Sequence, residues 1–347
     1  MPLAVVTSRP AIPGLDFPIP RRPDGSIIWP APDPSSPYWL TAPALISFSG
    51  GRTSAFMLFQ HLWAHGGTLP DGVWVTFANT GKEREETLRF VHECESRWGV
   101  RVWWLEWVPR PEGQAGRKTP WADRFEIVGL NSASRDGEPL LALFERKKFL
   151  PNAVTRFCTA DAKIDTMKAF MLSHGYERWT NVIGLRSDEM RRIAKQAKRN
   201  EEGKERFETT WPMLRAKVTK RDIWRFWLGG NIDPKNLTEP LPQGFDLGLW
   251  PYEGNCDGCF LKGRDVLMHQ ERERPGYLDW WIAAERWAVG ISEKPDGERF
   301  AMDFSYADLK RDVARQPLLI PIDPMHLEAE GECGVGGTDT EIRCGAR

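Results

Sequence analysis

Two features of this 347-residue chain carry residue types at spacings that could do chemistry: a cysteine pair and a glycine turn flanked by hydroxyls. Cys256-Asp257-Gly258-Cys259 is a tight chelating loop. Its glycine permits the turn, and two residues between thiolates suit Zn²⁺ and iron–sulfur clusters alike, but further ligands are needed. The second feature is Ser47-Phe48-Ser49-Gly50-Gly51-Arg52-Thr53-Ser54, directly behind the apolar run Ala44-Leu45-Ile46. A strand turning through Gly50-Gly51 into a helix leaves backbone N–H groups and the positive end of the helix dipole facing one small space, which attracts phosphate. Ser49, Thr53 and Ser54 add hydroxyl donors. The stretch is not a Walker A loop, because its spacing is short and no Gly-Lys-Ser/Thr follows. Taken alone, a Gly-Gly turn is equally well a tight connection.

The elements that must position these groups repeat a pattern of apolar strand, turn and amphipathic helix. It runs 44–48 then 53–65, 72–77 then 83–98, and 100–107 as a third strand. Such alternation predicts a parallel sheet with right-handed crossovers. Residues 109–137 are polar and rich in Gly, Pro and Arg, which suits an insertion or loop, and helices are expected at 139–148 and 159–174. Trp179–Leu185 reads as another strand, and Thr219 with Asp222 makes a capping-box-like helix start. Cys94, in the 83–98 segment, reads as a small buried apolar residue. The tryptophans, 17 in all, read mainly as packing residues rather than a base-stacking surface.

Composition bounds the function. The net charge is −1, from 47 Lys and Arg against 48 Asp and Glu, so a globally basic nucleic-acid coat is excluded and any polyanion must meet a local patch. Between Arg186 and Arg206, residues Arg191, Arg192, Lys195, Lys198 and Arg199 are spaced to line one side of a helix. This is either a solvated face or the place where nucleic-acid phosphates would be contacted. No apolar run reaches membrane-spanning length and Met1-Pro2 leads into prolines, so the expectation is a cytoplasmic protein without a membrane partner. In that reducing setting the cysteines favour ligands over disulfides.

Four ordered segments carry a family resemblance. The 47–54 stretch resembles the PP-loop, Ser-Gly-Gly-x-Asp/Thr-Ser, of the adenine nucleotide alpha hydrolase superfamily. Asn79-Thr80-Gly81 with Glu86-Thr87 is similar to the Asp-Thr-Gly-x4-Glu-Thr of its phosphoadenosine phosphosulfate (PAPS) reductase-like family. Gly184-Leu185-Arg186 resembles the Gly-Ile-Arg element, and Pro212 with Thr219-x-x-Asp222-Ile223-Trp224 resembles the Pro-Leu and Trp-Thr-x-x-Asp-Val-Trp segment. Together they cover about residues 44–260. The resemblance implies an open, parallel, five-stranded sheet with helices on both faces, Rossmann-like, binding an adenine nucleotide over the carboxyl ends of its strands. A smaller, mostly helical C-terminal region would follow. Members with an intact Ser-Gly-Gly loop cleave ATP between the α and β phosphates, commonly to adenylate an oxygen that sulfur or nitrogen then displaces. By this resemblance Ser49, Gly50, Gly51, Arg52, Thr53, Ser54, Asn79, Thr80, Gly81 and Gly184 would bind the nucleotide, with Arg186 as the catalytic contact to the phosphates. Thr53 stands where many members have Asp, and a hydroxyl is a poorer Mg²⁺ partner.

The resemblance extends to the cysteines. Cys158, in Arg156-Phe157-Cys158-Thr159-x3-Lys163, together with Cys256 and Cys259 matches three of the four ligands with which adenylyl-sulfate reductases hold a [4Fe–4S] cluster; Phe157 replaces the other. Either the cluster keeps an open iron, as in iron–sulfur-dependent nucleic-acid thiolation enzymes, or Cys333 or Cys344 closes it; structural Zn²⁺ is the plainer rival. Gly331-Glu332-Cys333-Gly334 also resembles the tail carrying the nucleophilic cysteine of sulfonucleotide reductases, although Gly336 replaces its histidine.

The expected organisation is a Pro-rich N-terminal arm (1–42), a PP-loop nucleotide-binding domain (43–230), a helical region with the Cys-x-x-Cys loop (231–330) and a flexible Cys-containing tail (331–347). The expected function is an ATP pyrophosphatase-type sulfurtransferase using ATP, Mg²⁺ and a [4Fe–4S] cluster, with an unidentified acceptor, nucleic acid among the candidates, and an unidentified sulfur donor. Two alternatives stand beside it. One is an oxidoreductase acting on PAPS or adenylyl sulfate, with Cys333 as nucleophile and thioredoxin or glutaredoxin as electron donor. The other is a non-catalytic nucleotide-binding module with structural Zn²⁺. Oligomeric state is not legible.

Overall fold

Short apolar runs alternating with amphipathic segments fold into an α/β structure. In this computed structural model the described residues are 12–15, 19–110, 119–237, 241–254, 256–294 and 297–315. Six strands make one mostly parallel sheet: β1 Ala44–Ser47, β2 Val73–Asn79, β3 Trp103–Trp107, β4 Phe125–Val128, β5 Trp179–Val182 and β6 Phe207–Thr210, in the order β4-β3-β2-β1-β5-β6. Four of these are the strands the periodicity predicts. The expectation of five parallel strands is corrected by the other two. β4 runs antiparallel to β3, with Trp104 opposite Val128 and Trp107 opposite Phe125. It lies within the segment read as a polar insertion or loop, because four residues behind Asp123-Arg124 give too little period-2 signal. An antiparallel edge on a parallel sheet is common, since an edge strand needs no buried crossover. β6, Phe-Glu-Thr-Thr, pairs parallel to β5 and is short and polar enough to be hidden in the charged stretch.

The helices are α1 Arg52–Ala64, α2 Glu85–Trp98, α3 Glu138–Lys147, α4 Phe157–Thr159, α5 Thr166–Ser173, α6 Met190–Glu202, α7 Pro212–Arg215, α8 Lys220–Leu228, α9 Arg264–Glu273, α10 Asp279–Ala288 and α11 Tyr306–Arg315. A π-helical turn, Ala160–Asp165, joins α4 to α5. The capping signal is met in α8, where the Thr219 N–H donates to Asp222 Oδ2 over 2.8 Å. No helix among the described residues is long and apolar enough to cross a membrane.

The chain divides into two compact units. The first comprises the described residues of Met1–Val75, Phe90–Val102 and Arg178–Gly248. Its sheet portion registers β1 against β5, Ala44 opposite Thr180 and Ile46 opposite Val182, and β5 against β6. Helix α1 is buried on nearly every side, and Phe59 meets Phe226 at 5.1 Å while Trp227 meets Phe245 at 5.4 Å. A helix buried on nearly every side belongs in a core rather than at a surface. Residues of the N-terminal arm lie along α1: the Asp33 N–H donates to Ala64 O over 2.8 Å, His61 Nδ1 donates to the Tyr38 carbonyl over 2.6 Å, and the Trp29 ring packs on Phe59.

The second unit comprises the described residues of Thr76–Arg89, Trp103–Glu177 and Leu249–Arg347. Its sheet portion registers β2 against β3, Thr76 opposite Trp103 and Asn79 opposite Glu106. A core of Leu143, Phe144, Leu267, Trp281, Phe300 and Tyr306 ties α3, α9, α10 and α11 together.

Candidate functional site

In the first unit, β1 delivers the chain to Ser49 and α1 takes it away from Arg52. Gly50 has φ +77, a left-handed conformation that a side chain would strain, and Gly51 is the extended N-cap. The first helical bond runs from Ala55 N to Gly51 O over 3.0 Å. By helix geometry the N–H groups of Arg52, Thr53 and Ser54 precede it and are directed out of the N-terminus. The Ser54 hydroxyl braces the turn: it accepts from Ser49 N over 3.2 Å, lies 2.9 Å from Ser49 Oγ and donates to Gly51 O over 3.0 Å. Arg52 turns inward. Its guanidinium makes a bidentate, buried pair with Asp246, Nε to Oδ1 over 2.7 Å and Nη2 to Oδ2 over 2.5 Å, and stacks over Trp224. Trp227 Nε1 donates to its carbonyl over 2.9 Å. Arg52 therefore anchors the loop from behind.

The end of β5 brings the other predicted residues of this unit to the same turn. A Cβ on Gly184 would stand 3.4 Å from the Ser54 Cα, so the absent side chain permits the close approach. Arg186 is buried, and its Nη1 donates to Thr53 Oγ1 over 3.4 Å while its Nε donates to Asp188 Oδ1 over 2.9 Å. Glu189 accepts from the Arg186 N–H over 2.9 Å. The result is a glycine turn, a helix N-terminus, a hydroxyl and a held guanidinium assembled within one unit, which is chemistry suited to a phosphate group.

In the second unit, Cys158, Cys256 and Cys259 line one cavity together with Thr80, Arg156 and Lys163, against an apolar wall that includes Leu140, Phe144 and Trp281. Several contacts build it. Glu83 and Cys256 form an antiparallel bridge, and Asp257 N donates to Lys82 O over 2.5 Å, so the segment after β2 is paired to the Cys-x-x-Cys loop. The buried Glu83 carboxylate accepts from Thr80 N over 2.8 Å, from Thr80 Oγ1 over 2.9 Å and from Lys163 Nζ over 3.2 Å. Thr80 Oγ1 lies 3.4 Å from Cys256 Sγ. Gly258 has φ +65, and the indole of Trp281 occupies the space a Cβ would need. The Gly258 N–H donates to Tyr277 Oη over 2.5 Å and Tyr306 Oη donates to its carbonyl over 2.6 Å. Lys262 is buried behind the loop; burial pushes its ammonium down from the ordinary lysine range, and Asp257, Cys259 and Cys256 pull it back up. A cation there would offset the cost of gathering thiolates.

The π-helical turn begins two residues after Cys158 and carries Lys163. Such turns insert one residue into a helix and frequently accompany functional sites. Asn79 has a different part: its amide donates to Glu106 Oε1 over 2.6 Å and to Ser134 O over 2.9 Å, and its Oδ1 accepts from Gly81 N over 3.2 Å. It shapes the end of β2. Gly81, at φ +76, lets the chain pass within 3.0 Å of Gly137, measured from where its Cβ would be.

Among the predicted residues, Ser49 to Ser54, Gly184 and Arg186 come together in the first unit, and Thr80, Cys158, Cys256 and Cys259 in the second. Cys333 and Cys344 lie outside the described residues. Cys94 is fully buried in α2, where burial raises its thiol well above the ordinary range, as suits a packing residue. Among the described residues no group of three or more His, Cys, Asp or Glu side chains is arranged to hold a metal ion, so the three sulfurs border the cavity without forming a closed coordination sphere. Sequence reasoning assigned no part to Glu83, Lys163, Lys262, Asp246 or Glu189. Lys163 stands in the quoted Cys158 segment, and Glu83 two residues after Gly81, which is the signal that could have found them.

Comparison with known proteins finds a distant relative. The uncharacterized nin region protein ORF290 of Escherichia phage lambda is 28% identical over 225 residues, 64% of this chain and 67% of that protein. No family model matches the chain. No solved structure matches it.

Proposed function

We propose that this chain is a PAPS reductase-like PP-loop enzyme that binds ATP, releases pyrophosphate and transfers sulfur to an acceptor, with Cys158, Cys256 and Cys259 holding a [4Fe–4S] cluster. The observation that carries the reading is that Cys158 lines the same cavity as Cys256 and Cys259, although 98 residues separate it from the pair. A packing role would give no reason for three thiols, a buried lysine and two further cationic side chains to gather there.

The donor set fits such a cluster in kind, three thiolates with a compensating cation. Bound there, the cluster would supply an iron site able to engage sulfide. The chain's own residues account for the rest. The N–H groups at the start of α1, with Ser49, Thr53 and Arg186, would take up the charge of departing pyrophosphate as an acceptor oxygen attacks the α phosphorus and the bond to the β phosphate oxygen breaks. Sulfide then displaces AMP from the adenylated position, a redox-neutral exchange of oxygen for sulfur. With Thr53 in place of a carboxylate, Mg²⁺ would enter bound chiefly to the triphosphate.

Pyrophosphate release from ATP, measured anaerobically with sulfide and with RNA or DNA as acceptor, tests the reading. Release that is acceptor-dependent and falls at least tenfold in Gly51→Val supports it, because a branched side chain at Gly51 would block approach of the phosphate. Sulfite release from PAPS or adenylyl sulfate without pyrophosphate release from ATP would replace it with the reductase reading.

A further inference from the structure

We infer that helix α6 and the loop entering α8 form a docking surface for the sugar–phosphate backbone of a nucleic acid, built onto the turn that holds Arg186. The inference rests on the proposed function in taking nucleic acid as the acceptor and the Gly50-Gly51 turn as the phosphate site; the surface itself is read from charge and contacts.

Residues 186–225 hold 13 Lys and Arg against 7 Asp and Glu, a net +6 in a chain whose total is −1. The charge is concentrated and displayed. Arg191 and Lys198 are exposed on α6, and Arg215, Lys217 and Arg221 are exposed around the start of α8. Arg191 to Arg199 spans about 12 Å of helix, the axial rise of three to four phosphates on one strand of a B-form duplex. The carboxylates at this end of the helix are already engaged: Glu189 pairs with Arg192 and Arg186, and Asp188 accepts from Arg186 Nε over 2.9 Å and from Lys220 N over 2.9 Å. Ser187 completes the junction, its N–H donating to Val218 O over 2.8 Å and its hydroxyl to the same carbonyl over 2.7 Å. The 186–189 turn thus joins three things inside one unit: the Thr53 hydroxyl through Arg186, the basic helix through Glu189 and the basic loop through Asp188 and Ser187. A solvated charged helix needs no such junction. A surface that must bring a polyanion to the phosphate-binding turn does, and the spacing of its cations matches a phosphate backbone better than an acidic protein face, whose charges have no fixed repeat.

Fluorescence anisotropy of the full chain with labelled single-stranded RNA, single-stranded DNA and duplex DNA, in the absence of ATP, tests this. Binding to at least one of these, weakening steeply as salt rises from 50 to 200 mM, is expected. The exposed-site variant Arg191→Gln/Lys198→Gln/Arg221→Gln should bind at least tenfold more weakly, with the log–log salt slope reduced by about two to three. Arg299→Gln, an exposed cation of the other unit, should bind as the parent does. Circular dichroism and the urea midpoint of each variant separate lost binding from lost folding. The inference is overturned if none of the three nucleic acids binds at 50 mM salt, if the triple variant binds normally, or if polyglutamate displaces the nucleic acid at equal charge concentration. Because no ATP is present, pyrophosphatase activity can fail while this surface stands, and the reverse.

Discussion

The hydroxyl of Thr80 lies 3.4 Å from the sulfur of Cys256, and the two are held there by one carboxylate, that of Glu83. Glu83 caps the segment after β2, receives Lys163 and pairs through its backbone with Cys256. Removing it takes a carboxylate partner from a largely buried lysine and from a threonine. Glu83→Ala is expected to lower unfolding stability by about 3–5 kcal/mol, the usual cost of breaking a buried pair on one side. Urea denaturation measures this, and Glu83→Gln, which keeps the Thr80 contacts, should lose less.

Gly258 is where the Cys-x-x-Cys loop turns under Trp281. An alanine there meets both a left-handed φ and the indole. We expect Gly258→Ala to lose the iron and sulfide of the proposed cluster and also to lower the urea midpoint, since the buried Trp281 indole must shift to admit the methyl group. Metal analysis of the purified variant checks it; full metal content would show that the turn does not position the thiols.

Arg52 and Asp246 face each other across 194 residues in a buried bidentate pair. Asp246→Ala should cost about 3–5 kcal/mol in stability by removing the carboxylate that pairs with the buried guanidinium. It should also reduce pyrophosphate release in protein that remains folded, because Arg52 is the first residue of the helix behind the Gly50-Gly51 turn. Nucleotide-dependent release in a variant shown to be folded by its urea transition is the readout.

His61 predicts an acid sensitivity. It is fully buried and held neutral, donating through Nδ1 to the Tyr38 carbonyl, and burial lowers its pKa from the ordinary 6.5 to about 3. His65, against Trp39, is shifted the same way by burial. Between these values the unfolded chain binds a proton that the folded chain does not, so stability is present above pH 6.5 and is lost as pH falls toward 3. The slope from His61 alone is at most about 1.4 kcal/mol per pH unit. Urea midpoints at pH 7.5, 6.5 and 5.5 should decline, and His61→Leu should flatten the decline.

Much of the frame was legible because its signals are local. Ala44-Leu45-Ile46 before a glycine pair, the α2 pattern and the Thr219–Asp222 cap each depend on neighbours in sequence, and each is found. β4 and β6 were not legible, being short strands set among charged residues, whose pairing with β3 and β5 comes from the sheet rather than from their own composition. The same limit governs the site. Residue type and spacing singled out Arg52, but its commitment to Asp246 is a contact across 194 residues that no local pattern announces. Asn79 likewise reads as a ligand-facing polar residue at a strand end, and only the packed structure sets Glu106 and Ser134 around its amide.

Cys158, Cys256 and Cys259 are proposed to act together as the ligands of an iron–sulfur cluster. Iron, zinc and acid-labile sulfide measured per chain in anaerobically purified protein test it most directly, alongside Cys158→Ala and Cys94→Ala. About four iron and four sulfide per chain are expected in a brown parent protein, with near-complete loss of both in Cys158→Ala and retention in Cys94→Ala. Colourless, iron-free protein carrying zinc, or iron and sulfide undiminished in Cys158→Ala, would contradict it.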